Sequence, residues 1–265
     1  MEKLKIGWFS TGRDKAARDL PATAVKNIKR GELSAEISFV FCNQQPSESS
    51  ESDLFLKSVR SYRIPLICFS SETFKFPGER RFSYKRRLEY DREVMQRLSN
   101  YHPDLCVLAG YMLIVGPEMC QRYTMINLHP AAPGGPTGTW QEVIWQLIDE
   151  TKAETTGVMM HLVTPELDKG PPVTYCTFPI KDESNKVLWE GVERGNGNAR
   201  RILFWDIRRR GLKREFPLII ATLKAFTQGK VRVELEKERI VDDKGEVIKG
   251  YDLTEEIDAA IKGEI

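Results

Sequence analysis

Three polar side chains between residues 127 and 168 of this 265-residue sequence could together carry out acyl transfer. Asn127 and His129 stand two positions apart in INLHP, so in a β-strand both side chains leave the same face. Asp168 lies in LDKGPP, where glycine and prolines favour a rigid turn. An amide, an imidazole and a carboxylate brought together can stabilise a developing oxygen charge and move an amine proton. Acyl transfer without an obvious side-chain nucleophile is the chemistry that this set favours.

The elements that must position these residues follow from the alternation of short apolar segments with longer amphipathic ones. This pattern predicts an α/β fold with an open, doubly wound, mostly parallel sheet of the Rossmann-like kind, covered by helices on both faces. In such a sheet the carboxyl ends of the strands face the ligand crevice. Strands are expected at residues 4–9, 35–42, 65–69, 104–109, 125–128, 156–163 and 173–180.

Several segments are expected to interrupt regular structure. Residues 44–53 are polar and rich in serine, which predicts a mobile loop after the second strand. Residues 191–201 are rich in glycine and asparagine, which favour turns. In the helical pattern that follows, Gly211 and Pro217 are expected to break or bend the helix.

The C-terminal part of the chain is expected to be an addition to the main core. Apolar and polar residues alternate on both sides of residues 243–245, which predicts a hairpin, and a short charged helix closes the chain. We therefore predict an α/β domain over residues 1–229 and a C-terminal extension over residues 230–265.

Composition limits the partners and the location. The 40 basic and 38 acidic residues leave a net charge of +2, which gives no reason to expect nucleic acid or an acidic membrane as a partner. No segment approaches the roughly 20 apolar residues that span a bilayer, and the N-terminus lacks the apolar stretch of a signal peptide. The five cysteines are scattered and do not cluster with the three histidines, which favours reduced thiols and no metal site. We expect a cytoplasmic protein that is a monomer or a homodimer.

The turn STGRDK, after the first predicted strand, could bind an anion. Backbone N–H groups at the start of the next helix favour negative charge, and Arg13 and Lys15 could add positive charge. The turn matches neither the dinucleotide nor the nucleoside triphosphate glycine motif, and a solvated turn would have the same composition. Gly12, Arg13, Asp14 and Lys15 are therefore candidates for binding a phosphate or a carboxylate.

The segments LAGYM, INLHP and GVMMHLVTPELDKGP, in this order, resemble the folate-dependent formyltransferase family. The resemblance runs from about residue 3 to residue 229. It implies transfer of a formyl group from 10-formyltetrahydrofolate, as co-substrate, to a small amine. Within the family the order of motifs most resembles the enzymes that formylate glycinamide ribonucleotide in purine biosynthesis, so the implied acceptor is phosphorylated.

The resemblance also implies roles for individual residues. Asn127 and His129 would contact the formyl oxygen, while Asp168 would pair with His129, raise its pKa and help to move a proton through a water molecule. The STGRDK turn would take the phosphate of the acceptor. The pterin end of the donor would lie against two segments, and the expected contacts are Leu108, Met112, Leu113, Val115, His161, Thr164 and Asp168.

The sequence departs from the family pattern mainly on the acceptor side. The segment PAAPGGPTGTW follows His129 where a serine, leucines and a basic segment are common, and its Trp140 is a candidate for lining the acceptor side. Leu212 stands where an acidic residue is expected to bind ribose hydroxyls, and Leu113 stands where an arginine is usual. Arg13 and Asp14 occupy a turn that is usually rich in glycine and asparagine.

These departures leave several alternatives open. The acceptor could be another small amine such as an amino sugar, water could replace the amine in a hydrolase, or the chain could be a noncatalytic folate-binding protein. The presence of all three catalytic candidates argues against the last. The basic residues 208–210 are expected to form a solvated face.

Overall fold

The computed structural model describes residues 3–75, 77–78, 80, 83–150 and 153–263. Its strands are β1 (Leu4–Ser10), β2 (Ala35–Cys42), β3 (Leu66–Cys68), β4 (Leu105–Leu108), β5 (Met125–His129), β6 (Thr155–Leu162), β7 (Pro172–Pro179), β8 (Val231–Glu234), β9 (Arg239–Asp242), β10 (Val247–Ile248) and β11 (Tyr251–Asp252). Its helices are α1 (Lys15–Lys29), α2 (Ser50–Ser61), α3 (Tyr84–Arg97), α4 (Pro117–Arg122), α5 (Trp140–Asp149), α6 (Lys186–Glu193), α7 (Gly197–Thr227) and α8 (Thr254–Gly263).

Within the described ranges, eight strands form one sheet in the order β11-β7-β6-β5-β4-β1-β2-β3. The pairs β1 with β2, β2 with β3, β1 with β4, β4 with β5 and β7 with β11 are parallel, while β6 is antiparallel to both of its neighbours. The predicted mostly parallel sheet is therefore confirmed. The central strand β4 is buried along its whole length, because helices cover both faces of the sheet.

The register of three parallel strands creates the site. Phe9 of β1 pairs with Leu108 of β4, and Leu108 pairs with Asn127 of β5. The carboxyl ends of these strands consequently lie side by side. The turn after β1, the turn after β4 and the end of β5 all emerge at the same edge of the sheet, where an open α/β sheet binds its ligands.

The loop prediction for residues 44–53 is wrong in its second half. Helix α2 begins at Ser50, and the hydroxyl of Ser49 accepts a hydrogen bond from the backbone N–H of Ser52 at 3.0 Å. Glu51 and Asp53 lie in the first turn, where their negative charge favours the helix N-terminus. Serines and acidic residues that look like a loop by composition thus form a helix start.

The predicted break in the long C-terminal helix is also wrong. Helix α7 continues through Gly211 and Pro217, and its buried residues pack on the sheet. Gly211 is buried, and a Cβ atom there would lie 3.8 Å from the Phe178 ring. The burial of the α7 face therefore outweighs the local preference of glycine and proline. The turn predicted within residues 191–201 is limited to residues 194–196, between α6 and α7.

The C-terminal hairpin is present as predicted. Strands β8, β9 and β10 form an antiparallel sheet, and Val247 pairs with Val241 across the turn. Strand β11 then returns to the main sheet beside β7, a pairing that the sequence did not predict. The division at residue 229 stays a prediction. In the described part of the chain no helix has the length and apolar character needed to cross a membrane.

Candidate active site

A cleft of about 360 Å³ opens at the carboxyl ends of β1, β4 and β5. Its walls come from the start of α1, the turn after β4, the end of β5, the loop after β6 and the middle of α7. It brings together most of the residues predicted from the sequence, namely Arg13, Asp14, Leu108, Met112, Leu113, Val115, Asn127, His129, His161, Thr164 and Asp168.

The amide of Asn127 is oriented by His161. The two residues are paired opposite each other on the antiparallel strands β5 and β6. The Nδ1–H of His161 donates to the carbonyl of Leu162 at 2.9 Å, so in the neutral ring Nε2 carries the lone pair. That nitrogen accepts the Nδ2–H of Asn127 at 3.1 Å. His161 thereby fixes the side chain that faces the cleft, which makes it a positioning residue.

His129 is held by the loop that follows it. Its ring is buried, with 2% of the residue exposed, and its Nε2–H donates to the carbonyl of Pro136 at 2.9 Å. In the neutral ring Nδ1 is then the free nitrogen, and it lies 3.7 Å from Oδ2 of Asp168. A proton accepted at Nδ1 would lie beside this carboxylate, whose negative charge would stabilise it. His129 is therefore arranged as a base whose protonated form has a counter-charge beside it.

Asp168 connects both histidines to the glycine-rich loop. Its Oδ2 accepts the backbone N–H of Gly138 at 3.0 Å, and its Oδ1 lies 3.6 Å from Nε2 of His161. The backbone of Asp168 is left-handed, with φ of 54°, a conformation that aspartate tolerates better than most residues. Burial raises the pKa of Asp168, but its polar contacts, including the hydrogen bond from the Gly138 N–H, outweigh it, so the net pKa is lowered.

The expected rise in the pKa of His129 is corrected by the structure. Burial is the largest effect and lowers the pKa below its ordinary 6.5, while the carbonyl of Pro136 and the charge of Asp168 act in the opposite direction. The imidazole is consequently neutral at neutral pH. A neutral imidazole is the form that can accept a proton from an amine.

The pH dependence of activity follows from this shift. We expect the acidic limb of kcat/KM to be centred below pH 6.5, because protonation of His129, whose pKa is lowered, removes the base. Asp168, with its lowered pKa, stays charged at this pH. A pH-rate profile checks this, and an acidic limb centred above 6.5 would contradict the neutral imidazole.

The turn after β4 supplies an apolar wall with free backbone groups. The hydroxyl of Thr11 accepts the N–H of Met112 at 3.0 Å, and the carbonyl of Gly110 accepts the N–H of Thr11 at 2.9 Å. Among the described residues, no hydrogen bond uses the N–H groups of Leu113 or Val115. Met112 is 44% exposed at the mouth of the cleft. The turn therefore offers hydrogen-bond donors and apolar contact to a flat ring that carries polar atoms along its edge.

Asp91 holds the end of this turn in place through a buried hydrogen bond. Its Oδ2 accepts the backbone N–H of Gly116 at 2.6 Å, and the residue is 2% exposed. Burial raises its pKa from 3.8 to about 6, although the Gly116 hydrogen bond and Arg87 act in the opposite direction. No sequence motif indicated this role, because Asp91 lies within helix α3, far along the chain from the motifs.

Replacement of Asp91 should change the pH dependence of stability. A raised carboxyl pKa means that the native state holds the proton more tightly than the unfolded chain, so this contribution is present at low pH and lost as the pH rises through about 6. We expect wild type to gain about 1 kcal/mol relative to Asp91→Asn between about pH 7 and about pH 5. Urea unfolding at both pH values measures it, and a constant difference would contradict the shift.

The anion site at the STGRDK turn stays a prediction, and the turn itself is held by contacts within the chain. The left-handed φ of Gly12 is 66°, and a Cβ atom there would lie 2.8 Å from Phe55. The Asp14 side chain caps α1 by accepting the N–H of Ala17 at 2.9 Å, so a carboxylate already occupies the helix N-terminus. Lys15 pairs with Asp19 and its side chain is 79% exposed. Gly12 and Lys15 do not line the cleft, whereas Arg13 and Asp14 do.

A buried ion pair on α7 completes the wall and was missed by sequence reasoning. Arg208 Nη1 donates to Glu215 Oε1 at 2.5 Å; Glu215 is buried, and the side chain of Arg208 is 13% exposed. The guanidinium of Arg208 also lies 4.5 Å from the centre of the Trp140 ring. Burial raises the pKa of Glu215, against the attraction of Arg208. The spacing of two helical turns between the pair was the available signal, but Gly211 between them suggested a break.

The described residues contain no group of three or more histidine, cysteine and acidic side chains placed to hold a metal ion. The site is built instead from an oriented amide, a neutral imidazole and a charged carboxylate. Together these groups can stabilise an oxyanion and transfer a proton.

Two curated proteins named for formyl-group chemistry are similar in sequence to parts of this chain. Phosphoribosylglycinamide formyltransferase of Saccharomyces cerevisiae is 36% identical over 102 residues, which cover 36% of this chain and 48% of that protein. Formyltetrahydrofolate deformylase of Haemophilus influenzae is 28% identical over 147 residues, covering 53% and 44%. The chain thus spans about half the length of these curated relatives.

Similarity of fold extends over nearly the whole chain. The solved structure of phosphoribosylglycinamide formyltransferase from Coxiella burnetii superposes with a TM-score of 0.70 at 20% identity, covering 95% of this chain and 99% of that one. Residues 12–192, more than half of the chain, match the sequence pattern of the family described as Formyl transferase. The chain belongs to the formyl transferase family.

Proposed function

We propose that the protein transfers a formyl group from 10-formyltetrahydrofolate to an amine. The observation that carries this proposal is the convergence of Asn127, His129 and Asp168 in one cleft, with the Asn127 amide oriented by His161. Related proteins carry the names of a formyltransferase and of a formyltetrahydrofolate deformylase, both of which act on a formyl group.

The cleft suits the folate donor. A volume of about 360 Å³ falls within the range of small-molecule sites, and the turn of residues 108–115 supplies apolar contact. The unused N–H groups of Leu113 and Val115 are placed to hydrogen-bond the polar edge of a pterin. Thr164 and Leu167 line the opposite side. Bound there, the donor supplies the formyl group to the catalytic residues.

In the proposed mechanism each residue has one role. Asn127 donates an N–H to the formyl oxygen as negative charge develops on it. His129 accepts the proton that the attacking amine loses and returns it to the leaving folate nitrogen, so that a formamide and tetrahydrofolate result. Because Nε2–H of His129 is bound to Pro136, we assign the oxyanion contact to Asn127 and the base to Nδ1. Asp168 stabilises the protonated imidazole.

Glycinamide ribonucleotide is the first acceptor to test, because relatives named phosphoribosylglycinamide formyltransferase match the chain. Another small amine, such as an amino sugar, is the second. Both acceptors should be tested, because the Asp14 carboxylate occupies the start of α1, where the phosphate of the acceptor was expected. A cytoplasmic location and a monomeric or homodimeric state stay predictions.

Hydrolysis of 10-formyltetrahydrofolate is the alternative activity, supported by the match to a deformylase. The protein can be incubated with 10-formyltetrahydrofolate, with and without glycinamide ribonucleotide, while release of tetrahydrofolate is followed. Release that depends on the amine supports the transferase. Release without any amine supports the hydrolase, and no release with any tested amine or with water would reject both.

A further inference from the structure

Helices α1 and α7 line a second groove, of about 980 Å³, outside the active-site cleft. Several of its residues on α7 recur at the three- and four-residue spacing of one helix face, namely Trp205, Arg209, Leu212 and Phe216. From Trp205 to Phe216 this face runs for about 17 Å, on the order of three helical turns. The groove therefore has the length of a short helix.

The groove presents apolar side chains that its own chain leaves partly uncovered. Trp205 is 58% exposed, and half-buried apolar residues continue along the groove, namely Leu212, Phe216, Pro217 and Ile261. The Trp205 ring is held by its neighbours, because its centre lies 5.3 Å from that of Phe204 and 6.2 Å from that of Trp140. An exposed aromatic ring that is already held in place loses little freedom on binding, which favours its use in an interface.

Basic residues on both helices surround this apolar surface. Lys26 and Arg30 of α1 and Arg209 and Lys213 of α7 are exposed and line the groove, each pair four residues apart on its helix. Arg30 lies 3.9 Å from Glu32, whereas Lys26 and Lys213 form no ion pair with any described residue. The whole chain has a net charge of only +2, so this positive charge is a local concentration. It complements a partner that carries negative charge.

We propose that the α1–α7 groove binds an acidic, amphipathic helix of another protein. Such a helix would place apolar residues, spaced three and four apart, against Trp205, Leu212 and Phe216. Glutamates or aspartates on either side of its apolar face would lie beside Lys26 on one helix and Lys213 on the other. This interaction goes beyond formyl transfer and does not depend on it, because Trp140 and Arg208 stand between the groove and the cleft.

The shape and composition of the groove favour a helix over a nucleic acid strand. Basic and aromatic residues together also occur in single-strand sites, where successive bases stack on flat rings. Here the apolar surface includes Leu212, Pro217 and Ile261, which offer no flat ring for a base. Aliphatic side chains of this kind pack well against the leucine or isoleucine residues of an amphipathic helix.

A peptide library tests the proposal on the intact protein. Displayed peptides of about 14 residues carry leucine, isoleucine or phenylalanine at helical spacing and random residues elsewhere. We expect selection to enrich glutamate and aspartate at the random positions. A synthesised winner should bind the double variant Lys26→Glu/Lys213→Glu about tenfold more weakly or worse, and Trp205→Ala similarly. Lys57→Glu on α2 and Val187→Ala on α6 make matched changes at exposed positions outside the groove and should leave binding unchanged.

Three results would overturn this proposal. The first is selected peptides without an excess of acidic residues, or a winner that binds the groove variants as tightly as wild type. The second is single-stranded DNA that binds more tightly than the winner and is lost in the double variant, which would make the groove a nucleic acid site. The third is self-association in sedimentation velocity that Trp205→Ala abolishes, which would make a second copy of this chain the occupant.

Discussion

Asn127→Ala should lower the kcat of formyl transfer by about 10²–10³-fold, with a smaller effect on KM. The variant loses the N–H that contacts the formyl oxygen as charge develops, an interaction that is stronger in the transition state than in the ground state. His161 keeps its hydrogen bond to Leu162, although its Nε2 loses the contact with Asn127. Steady-state kinetics with saturating 10-formyltetrahydrofolate measure the effect.

The control for Asn127→Ala is Asn100→Ala, which removes an exposed amide that does not line the cleft. It should keep wild-type kcat. If Asn127→Ala raised only KM, Asn127 would contribute equally to ground-state and transition-state binding, and the oxyanion role would be wrong.

Asp168→Asn should lower kcat about 100-fold or more. The amide cannot stabilise a proton on Nδ1 of His129, which lies 3.7 Å from Oδ2 of Asp168. Asparagine tolerates the left-handed backbone of this position, so the turn should persist. Kinetics, together with a thermal unfolding curve that shows retained folding, measure the effect.

The neighbouring variant Glu166→Gln is the matched control for Asp168→Asn. Glu166 is exposed in the same loop and does not line the cleft, so its charge should be dispensable. Near-full turnover of Asp168→Asn would show that the imidazole needs no carboxylate beside it. The proposed proton transfer would then be wrong.

Local sequence patterns were sufficient to predict which residues lie together at the centre of the site. The period of two residues in a strand places Asn127 and His129 on one face, and parallel strand order brings their ends to the crevice. Asp168 could be expected there from its turn chemistry and the resemblance. These inferences need only residues close together in the sequence or the regular geometry of one strand or sheet.

Other features depend on contacts that sequence spacing does not reveal. Helix α7 continues through Pro217 because its buried face packs on the sheet, which outweighs the local cost of proline. That continuity is what brings Arg208 and Glu215 into the cleft wall. The pKa of His129 falls because burial exceeds the effect of Asp168, and burial is a property of the whole fold.

The fate of the formyl carbon tests the central claim most directly. With ¹³C-labelled formyl on 10-formyltetrahydrofolate and glycinamide ribonucleotide or another phosphorylated amine present, NMR should show the label as a formamide on the amine. Label found only as free formate, at a rate independent of every amine tested, would contradict formyl transfer and leave hydrolysis as the activity.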